Sequence, residues 1–218
     1  MEWLTSFADL VLHLDKHLLF FVQQYGDWVY ALLFAIIFTE TGVVIAPFLP
    51  GDSLLFVAGA LCVTEGMSLP LLMVLLIVAA ILGDAVNYSV GRWFGDALVR
   101  RTRLISPEKL QYTQNFFEKH GPKTIVIARF LPIVRTMAPF VAGFSGMQAK
   151  RFLTYNVTGG ILWVASLTVA GYLFGNIPLV KNNLTAVILL IIFLSVLPGM
   201  IAYLKARAAA KMEKKAGN

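Results

Sequence analysis

Between Leu69 and Gly91 the chain carries a single charge, Asp84. About 20 predominantly apolar residues in helix suffice to cross a roughly 30 Å hydrocarbon core. A stretch this long and this apolar has few other places to go. Phe152 to Gly175 and Ala186 to Leu204 read the same way. The whole chain agrees: it is 58% hydrophobic and 14% charged, with a mean hydropathy of +0.76. A soluble domain is about 45–50% apolar and about 25% charged. Soluble enzymes, nucleic-acid modules and disordered chains are therefore excluded, and the chain reads as one polytopic membrane domain. Cys62 is the single cysteine, so no intramolecular disulfide is possible and no cysteine metal site is expected.

Other segments are apolar but broken. Residues 1–27 mix Leu4, Phe7, Leu10, Val11, Leu14 and Leu18 with acids, a lysine and histidines at helical spacing, which predicts an amphipathic interfacial helix. Glu2 and Asp9 stand where a secretory signal would be basic. A first helix is expected over Trp28 to Ile45. Pro47, Pro50 and Gly51 then interrupt it. The segment from Ser53 to Thr64 would reach only about 18 Å as helix, so it reads as half of a re-entrant hairpin. Thr124 to Gly146 holds Arg129, Pro132, Arg135 and Pro139, which argues against a straight span. Between these segments, Ser106-Pro107-Glu108 is a helix start and His120-Gly121-Pro122 a helix stop. They bracket a surface helix whose Leu110, Thr113, Phe116 and Phe117 face membrane or protein.

Two stretches echo each other. Phe48-Leu49-Pro50 leads to Phe56-Val57-Ala58-Gly59, and Phe130-Leu131-Pro132 leads to Phe140-Val141-Ala142-Gly143. Each is followed by a span ending in Gly-x-x-Phe-Gly, at Gly91 to Gly95 and at Gly171 to Gly175. The order of landmarks predicts a duplicated unit of hairpin plus span. With both hairpins turning back, the loop 92–123, the loop 145–151 and the tail share one side. Together they hold 14 Lys or Arg, against Lys181 alone opposite. That places the basic side, C-terminus included, in the cytoplasm and makes the two units inverted. The expected fold is an all-α polytopic membrane protein: an inverted repeat of re-entrant helical hairpin plus transmembrane helix, with an N-terminal amphipathic helix. Its parts are the interfacial helix (1–27) and a single membrane transport domain (28–204). That domain comprises a first repeat at about 45–95, a cytoplasmic linker (96–123), a second repeat at about 124–175 and a final span at about 186–204. A basic cytoplasmic tail (205–218) follows.

Four ionisable residues lie at or beside the broken elements: Glu40, Asp52, Arg129 and Arg135. Each costs about 2.5–3.5 kcal/mol or more at a bilayer centre, so each must be paired or face a polar cavity. One reading is structural, with two acids and two arginines stapling the hairpins together. The other divides the roles by chemistry. A guanidinium stays protonated and offers a planar donor fork to phosphate oxygens, which makes Arg129 and Arg135 the substrate-binding candidates. Carboxylates in apolar surroundings exchange protons near neutral pH, which makes Glu40 and Asp52 the proton-coupling candidates. Asp84, with Asn87 and Tyr88 one turn on, is either a further polar site or a satisfied packing patch. Asn156 and Thr158 read as cap chemistry, and Trp28, Trp93 and Trp163 as interface anchors or packing residues. His13 and His17 share a helix face but lack further ligands, so no metal and no cofactor is expected. No nucleophile elbow, P-loop or metalloprotease motif occurs, and no enzyme activity is expected.

Several stretches together resemble the DedA family of bacterial inner-membrane proteins over nearly the whole chain. They are Glu40-Thr41-Gly42, Phe48-Leu49-Pro50-Gly51-Asp52-Ser53, Gly83-Asp84-Ala85-Val86-Asn87-Tyr88, Gly91-Arg92, Lys119-His120-Gly121 and Arg129-Phe130-Leu131-Pro132-Ile133-Val134-Arg135-Thr136, with Ala142-Gly143 and Gly171-Tyr172. The resemblance implies a location in the bacterial inner membrane and a role in envelope integrity. It also implies proton coupling and, for some members, return of undecaprenyl phosphate across the membrane. The acid pair and arginine pair such proteins need match Glu40, Asp52, Arg129 and Arg135. The leading expectation is thus a proton-linked transporter or flippase for an anionic lipid phosphate, with no nucleic-acid partner and with homo-oligomerisation left open. The alternatives are a proton-coupled cation or drug antiporter and a non-transport membrane organiser.

Overall fold

The structure is a computed structural model describing residues 14–43, 51–101, 111, 113–115, 117, 120–175, 177–181, 183, 186–187, 189–191 and 193. Among them there are helices and turns and no strand. The helices are α1 (Leu14–Tyr25), α2 (Trp28–Gly42), α3 (Gly51–Thr64), α4 (Leu69–Arg101), α5 (Thr124–Ala128, after a 3-10 turn Gly121–Lys123), α6 (Pro132–Phe144), α7 (Ala149–Phe174) and α8 (Pro178–Lys181).

Two helices are long and apolar enough to cross a membrane, Leu69–Phe94 within α4 and Ala149–Phe174. Each covers 26 residues, or about 39 Å of helix. Leu72, Leu76, Ala79 and Ala80 of α4 are buried at three- and four-residue spacing, while Leu71, Val74, Val78, Leu82 and Val86 are exposed. An outward face that is itself apolar is what a helix bordered by lipid requires and what a soluble helix lacks. By contrast α2 has 15 residues, α3 has 14 and α6 has 13, each about 20–23 Å long and short of the hydrocarbon thickness.

Some sequence expectations move. α2 ends at Gly42 rather than Ile45, and α3 starts at Gly51 rather than Ser53. The Pro47–Pro50 turn lies outside the described residues. α4 runs on to Arg101, past Gly91 and into the stretch read as linker. Nothing in residues 92–101 breaks a helix except Gly95, and one glycine weakens a helix by only about 1 kcal/mol. The Gly-x-x-Phe-Gly landmark therefore ends a helix once: Gly175 caps α7 by donating to the Gly171 carbonyl at 2.8 Å, whereas Gly91 and Gly95 are interior. The broken span is as expected, since Arg129 to Leu131 separate α5 from α6 just before Pro132. Pro139 nevertheless sits inside α6 and cannot donate to the carbonyl of Arg135 four residues back.

α1 packs Leu18 into the core beside α2 and α3, so this helix lies on the domain while His17 and Phe20 face outward. Residues 1–13, His13 among them, lie outside the described residues, as do the Ser106–Glu108 start, Leu110 and Phe116. Most of the expected final span and the tail 205–218 lie outside them as well. Of the linker helix, Thr113 is buried and Phe117 packs against α6 residues.

The two long helices receive the short ones in a reciprocal way. α3 packs on α7 and α6 on α4, the two most extensive helix contacts among the described residues. At the first crossing Gly59 meets the Thr168 carbonyl and Gly171 the Phe56 carbonyl. At the second, Gly143 meets the Tyr88 carbonyl and Gly91 the Phe140 carbonyl. A Cβ at any of the four would collide with that carbonyl oxygen. Small residues allowing close backbone approach are how helices associate where no water drives them together. The turns leading into the long helices match too: Gly66 (φ 70°) precedes α4 and Gly146 (φ 74°) precedes α7, both in the left-handed region that glycine enters freely.

Gly59→Val and Gly143→Val are expected to destabilise the protein by similar amounts, about 1–3 kcal/mol each for an overpacked contact. Exposed Ser145→Ala should have little effect. Thermal unfolding in detergent is the check, and a silent Gly143→Val would contradict the crossing.

Candidate functional site

Arg135 is the hub of the first charge cluster. It lies in the opening turn of α6, where its N–H bonds the Leu131 carbonyl at 2.8 Å. Its Nη1 donates to Asp52 Oδ1 at 2.8 Å and its Nη2 to Glu40 Oε1. Glu40 comes from the end of α2 and Asp52 from the first turn of α3, where the helix dipole favours an acid. Gly51 makes this possible, because any Cβ there would occupy the place of the Glu40 carboxylate. One arginine thus ties α6 to both α2 and α3.

Arg129 organises the second cluster from the turn between α5 and α6. Its Nη2 donates to Asp84 Oδ2 of α4 at 2.5 Å and to Asn156 Oδ1 of α7 at 2.6 Å. The Asn156 amide in turn donates to the Ile81 carbonyl at 3.0 Å. Gly159 leaves room for the arginine, since a Cβ there would press on Arg129 Cδ and Nε, and a Cβ at neighbouring Gly160 would press on Ile81. Nε and Nη1 of Arg129 are buried and make no hydrogen bond, a costly state for charged donors.

Trp163 of α7 joins the clusters. Its ring lies 4.9 Å from the Arg135 guanidinium carbon and 5.8 Å from that of Arg129, and its Nε1 donates to Asp52 Oδ1 at 2.8 Å. Below them Asn87 of α4 donates to the backbone carbonyls of Thr136 (2.9 Å) and Thr41 (3.3 Å). It fastens α2 and α6 to the same helix. Tyr88, next in sequence, donates to the Met147 carbonyl and accepts from Arg92 at 2.9 Å.

The six predicted site residues therefore converge, in an arrangement the sequence did not specify. Glu40 and Asp52 share Arg135, while Arg129 takes Asp84, the acid whose role the sequence left open. Asn87 binds backbone rather than charge. One expectation is overturned. Asn156 is no cap: it is buried well inside α7 and bonded to Arg129. Of the two readings of Trp163, packing residue holds and interface anchor does not, because the side chain is fully buried. Trp28 and Trp93 are exposed, as anchors would be. Sequence reasoning missed Trp163 and Asn156, yet Asn156, Gly159, Gly160 and Trp163 repeat at three, four and seven residues on one face of a span, a pattern that was available. No group of three or more His, Cys, Asp or Glu among the described residues could hold a metal ion.

Exposure distinguishes the clusters. The Arg129 and Asp84 side chains are 2% and 5% exposed. The Arg135 and Asp52 side chains reach 11% and 18% while Glu40 stays at 1%. Asp52 is the open corner of an otherwise sealed network. Removing one member of the sealed pair leaves an uncompensated charge. Asp84→Asn and Arg129→Gln should each destabilise by about 3–5 kcal/mol. The double variant is expected to lose less than the sum, as measured by unfolding in detergent.

A family profile described as the VTT domain matches residues 49–173, a stretch containing five of the six predicted site residues. The chain is 51% identical over 219 residues to the protein DedA of Escherichia coli K12, covering 98% of this chain and 100% of that one. It is 42% identical to an uncharacterized membrane protein of Mycobacterium leprae over 84% of this chain and 85% of that one. It is 39% identical to the inner membrane protein YqjA of Escherichia coli K12 over 82% and 81%. No solved structure matches. The apolar outward faces of α4 and α7 and the identity to relatives named as membrane proteins lead to one conclusion: the chain belongs to the DedA family of membrane proteins.

Proposed function

We propose that the protein is a proton-linked transporter or flippase for a lipid phosphate, with undecaprenyl phosphate as the leading cargo, and that it makes and breaks no covalent bond. The observation that carries this reading is Arg135, a guanidinium held by two carboxylates from two different short helices, at the less sealed end of the network. A guanidinium fork bound to carboxylates presents the geometry that phosphate oxygens also satisfy. An anionic headgroup therefore competes with Glu40 and Asp52 for the same donors. A proton arriving on either acid weakens that acid's hold and frees donors for phosphate. Proton uptake and headgroup binding become one exchange, and the lipid tail never has to leave the bilayer. Arg129 adds positive charge beside the site but is held by Asp84 and Asn156, so Arg135 is the first ligand.

The family resemblance supports this reading, as does the reciprocal seating of α3 on α7 and α6 on α4. Such seating suits an inverted repeat in which α3 is half of one re-entrant hairpin and α5–α6 belong to the other, with the basic side cytoplasmic. A cation antiporter would use the same acids, but its cargo would meet two fixed guanidiniums at the site.

The test is binding of undecaprenyl phosphate to the purified protein, with undecaprenol as the neutral control. Wild type should prefer the phosphate. Arg135→Lys, which keeps the charge and loses the fork, should reduce that preference at least tenfold, one good charge-assisted contact being worth about 1.5–3 kcal/mol. Asp52→Asn should retain headgroup binding and lose the pH dependence of transport. Equal binding of alcohol and phosphate, unchanged in Arg135→Lys, would sink the lipid-phosphate reading.

A further inference from the structure

Trp163 lies against Arg135, Arg129 and Asp52 together, and nothing in the transport chemistry above requires a tryptophan. The indole is fully buried. It is also polar at one edge, and that edge is spent on Asp52 Oδ1 at 2.8 Å. What remains is the ring. Its centroid is 4.9 Å from the Arg135 guanidinium carbon, within the roughly 6 Å at which an aromatic quadrupole attracts a cation, and tryptophan is the strongest of the aromatic partners.

We infer that Trp163 is a positioning residue for phosphate. Its ring holds the Arg135 guanidinium in place while the carboxylates let go, so that the donor fork meets an incoming phosphate already oriented. This inference rests on the lipid-phosphate reading. The physical argument concerns what holds Arg135 during exchange. In the resting arrangement Glu40 and Asp52 hold it by its N–H groups, the same groups a phosphate needs. When either acid releases them, a long flexible side chain would lose its orientation. A contact through the ring consumes no N–H, so the fork stays aimed while its donors are free. The hydrogen bond from Trp163 to Asp52 has a complementary effect, since it keeps that acid beside the fork it has just released. The ring also lies 5.8 Å from the Arg129 guanidinium carbon, so one side chain fixes the spacing of both positive charges around the site.

Two variants separate ring from N–H. Trp163→Phe keeps an aromatic face and lacks the donor; Trp163→Leu lacks both. Binding of undecaprenyl phosphate should stay within about threefold of wild type in Trp163→Phe and weaken about tenfold in Trp163→Leu, the size expected of a desolvated cation–π contact. Binding of undecaprenol should be unchanged in both. A spectroscopic readout stands beside this, with Trp3, Trp28 and Trp93 replaced by Phe so that Trp163 is the sole emitter. Its emission should change on adding the phosphate and stay unchanged on adding the alcohol, which a merely structural tryptophan would not do. If Trp163→Leu fails to fold, that readout and Trp163→Phe decide, and an emission indifferent to phosphate overturns the inference. So does a Trp163→Phe variant as weak as full loss of phosphate preference, since the ring would then not be what matters. A wild-type preference for phosphate that survives in Trp163→Leu overturns this inference alone. A wild type that takes alcohol and phosphate alike overturns the lipid-phosphate reading, and this inference with it.

Discussion

Two arginines in an apolar chain are the constraint on which the rest of the structure depends. A guanidinium cannot shed its proton to escape hydrocarbon, so it must be matched by charge and hydrogen bonds wherever it sits. Arg129 and Arg135 are matched by acids on three other helices: Asp84 on α4, Glu40 on α2 and Asp52 on α3. The pairs therefore dictate which elements meet. The helix geometry follows from that demand. Gly51 gives Glu40 its place, Gly159 gives Arg129 its place, and the glycine crossings bring α3 and α6 close enough to the long helices for short side chains to reach.

Buried ion pairs rarely stabilise a fold more than well-packed apolar residues would, and breaking one side costs several kcal/mol. A membrane protein assembled only for stability would gain little from five ionised groups in one place. The sealed and open ends differ in what they are suited to do. Arg129, Asp84 and Asn156 are nearly inaccessible and bind one another through charge-assisted contacts of 2.5 and 2.6 Å. That end holds the broken segment to α4 and α7. At the other end Arg135 divides its donors between two acids on separate elements, and Asp52 is the more exposed of them. That more exposed end is where a proton or an anion would enter the proposed exchange.

Much of this was legible in the chain. The two full spans were visible because a run such as Leu69 to Gly91 has no soluble alternative. The break before Pro132 was visible because proline cannot extend the preceding helix. The ionisable residues stood out because their cost in hydrocarbon is large and their number small. What was not legible was pairing. Nothing in residue type distinguishes Asp52 from Asp84 as the partner of Arg129; the distance between α4 and α5 decides it, and that is a tertiary quantity. Asn156 looked like a cap because it lies near the start of an apolar stretch, but α7 begins at Ala149, so the asparagine falls inside the helix. Trp163 read equally as an anchor or a packing residue, because tryptophan serves both ends in membrane proteins, and its seven-residue spacing from Asn156 was the signal for the buried choice. The reach of α4 to Arg101 was hidden by the switch from apolar to basic residues, a change of surroundings rather than of helix propensity.

The distribution of charge adds a last constraint. The backbone contacts are reciprocal, with α3 on α7 and α6 on α4, but the charges are not. All three acids of the network precede residue 90 and both arginines follow residue 128. Neither half can neutralise its own charges, so each half alone would leave like charges in hydrocarbon. Docking of the two halves is thereby favoured, and among the described residues these five charges gather side by side, where a symmetrical arrangement would have given each half its own balanced pair. With three carboxylates against two guanidiniums, the fully ionised network carries one negative charge in excess, and a single proton makes it neutral. Any movement of α3 or α2 away from α6 has to part Arg135 from an acid. In an apolar setting that separation is far less costly when a proton neutralises the acid or an anion takes its place on the arginine. The same electrostatics that hold the halves together thus make their separation conditional on the species the protein is proposed to carry.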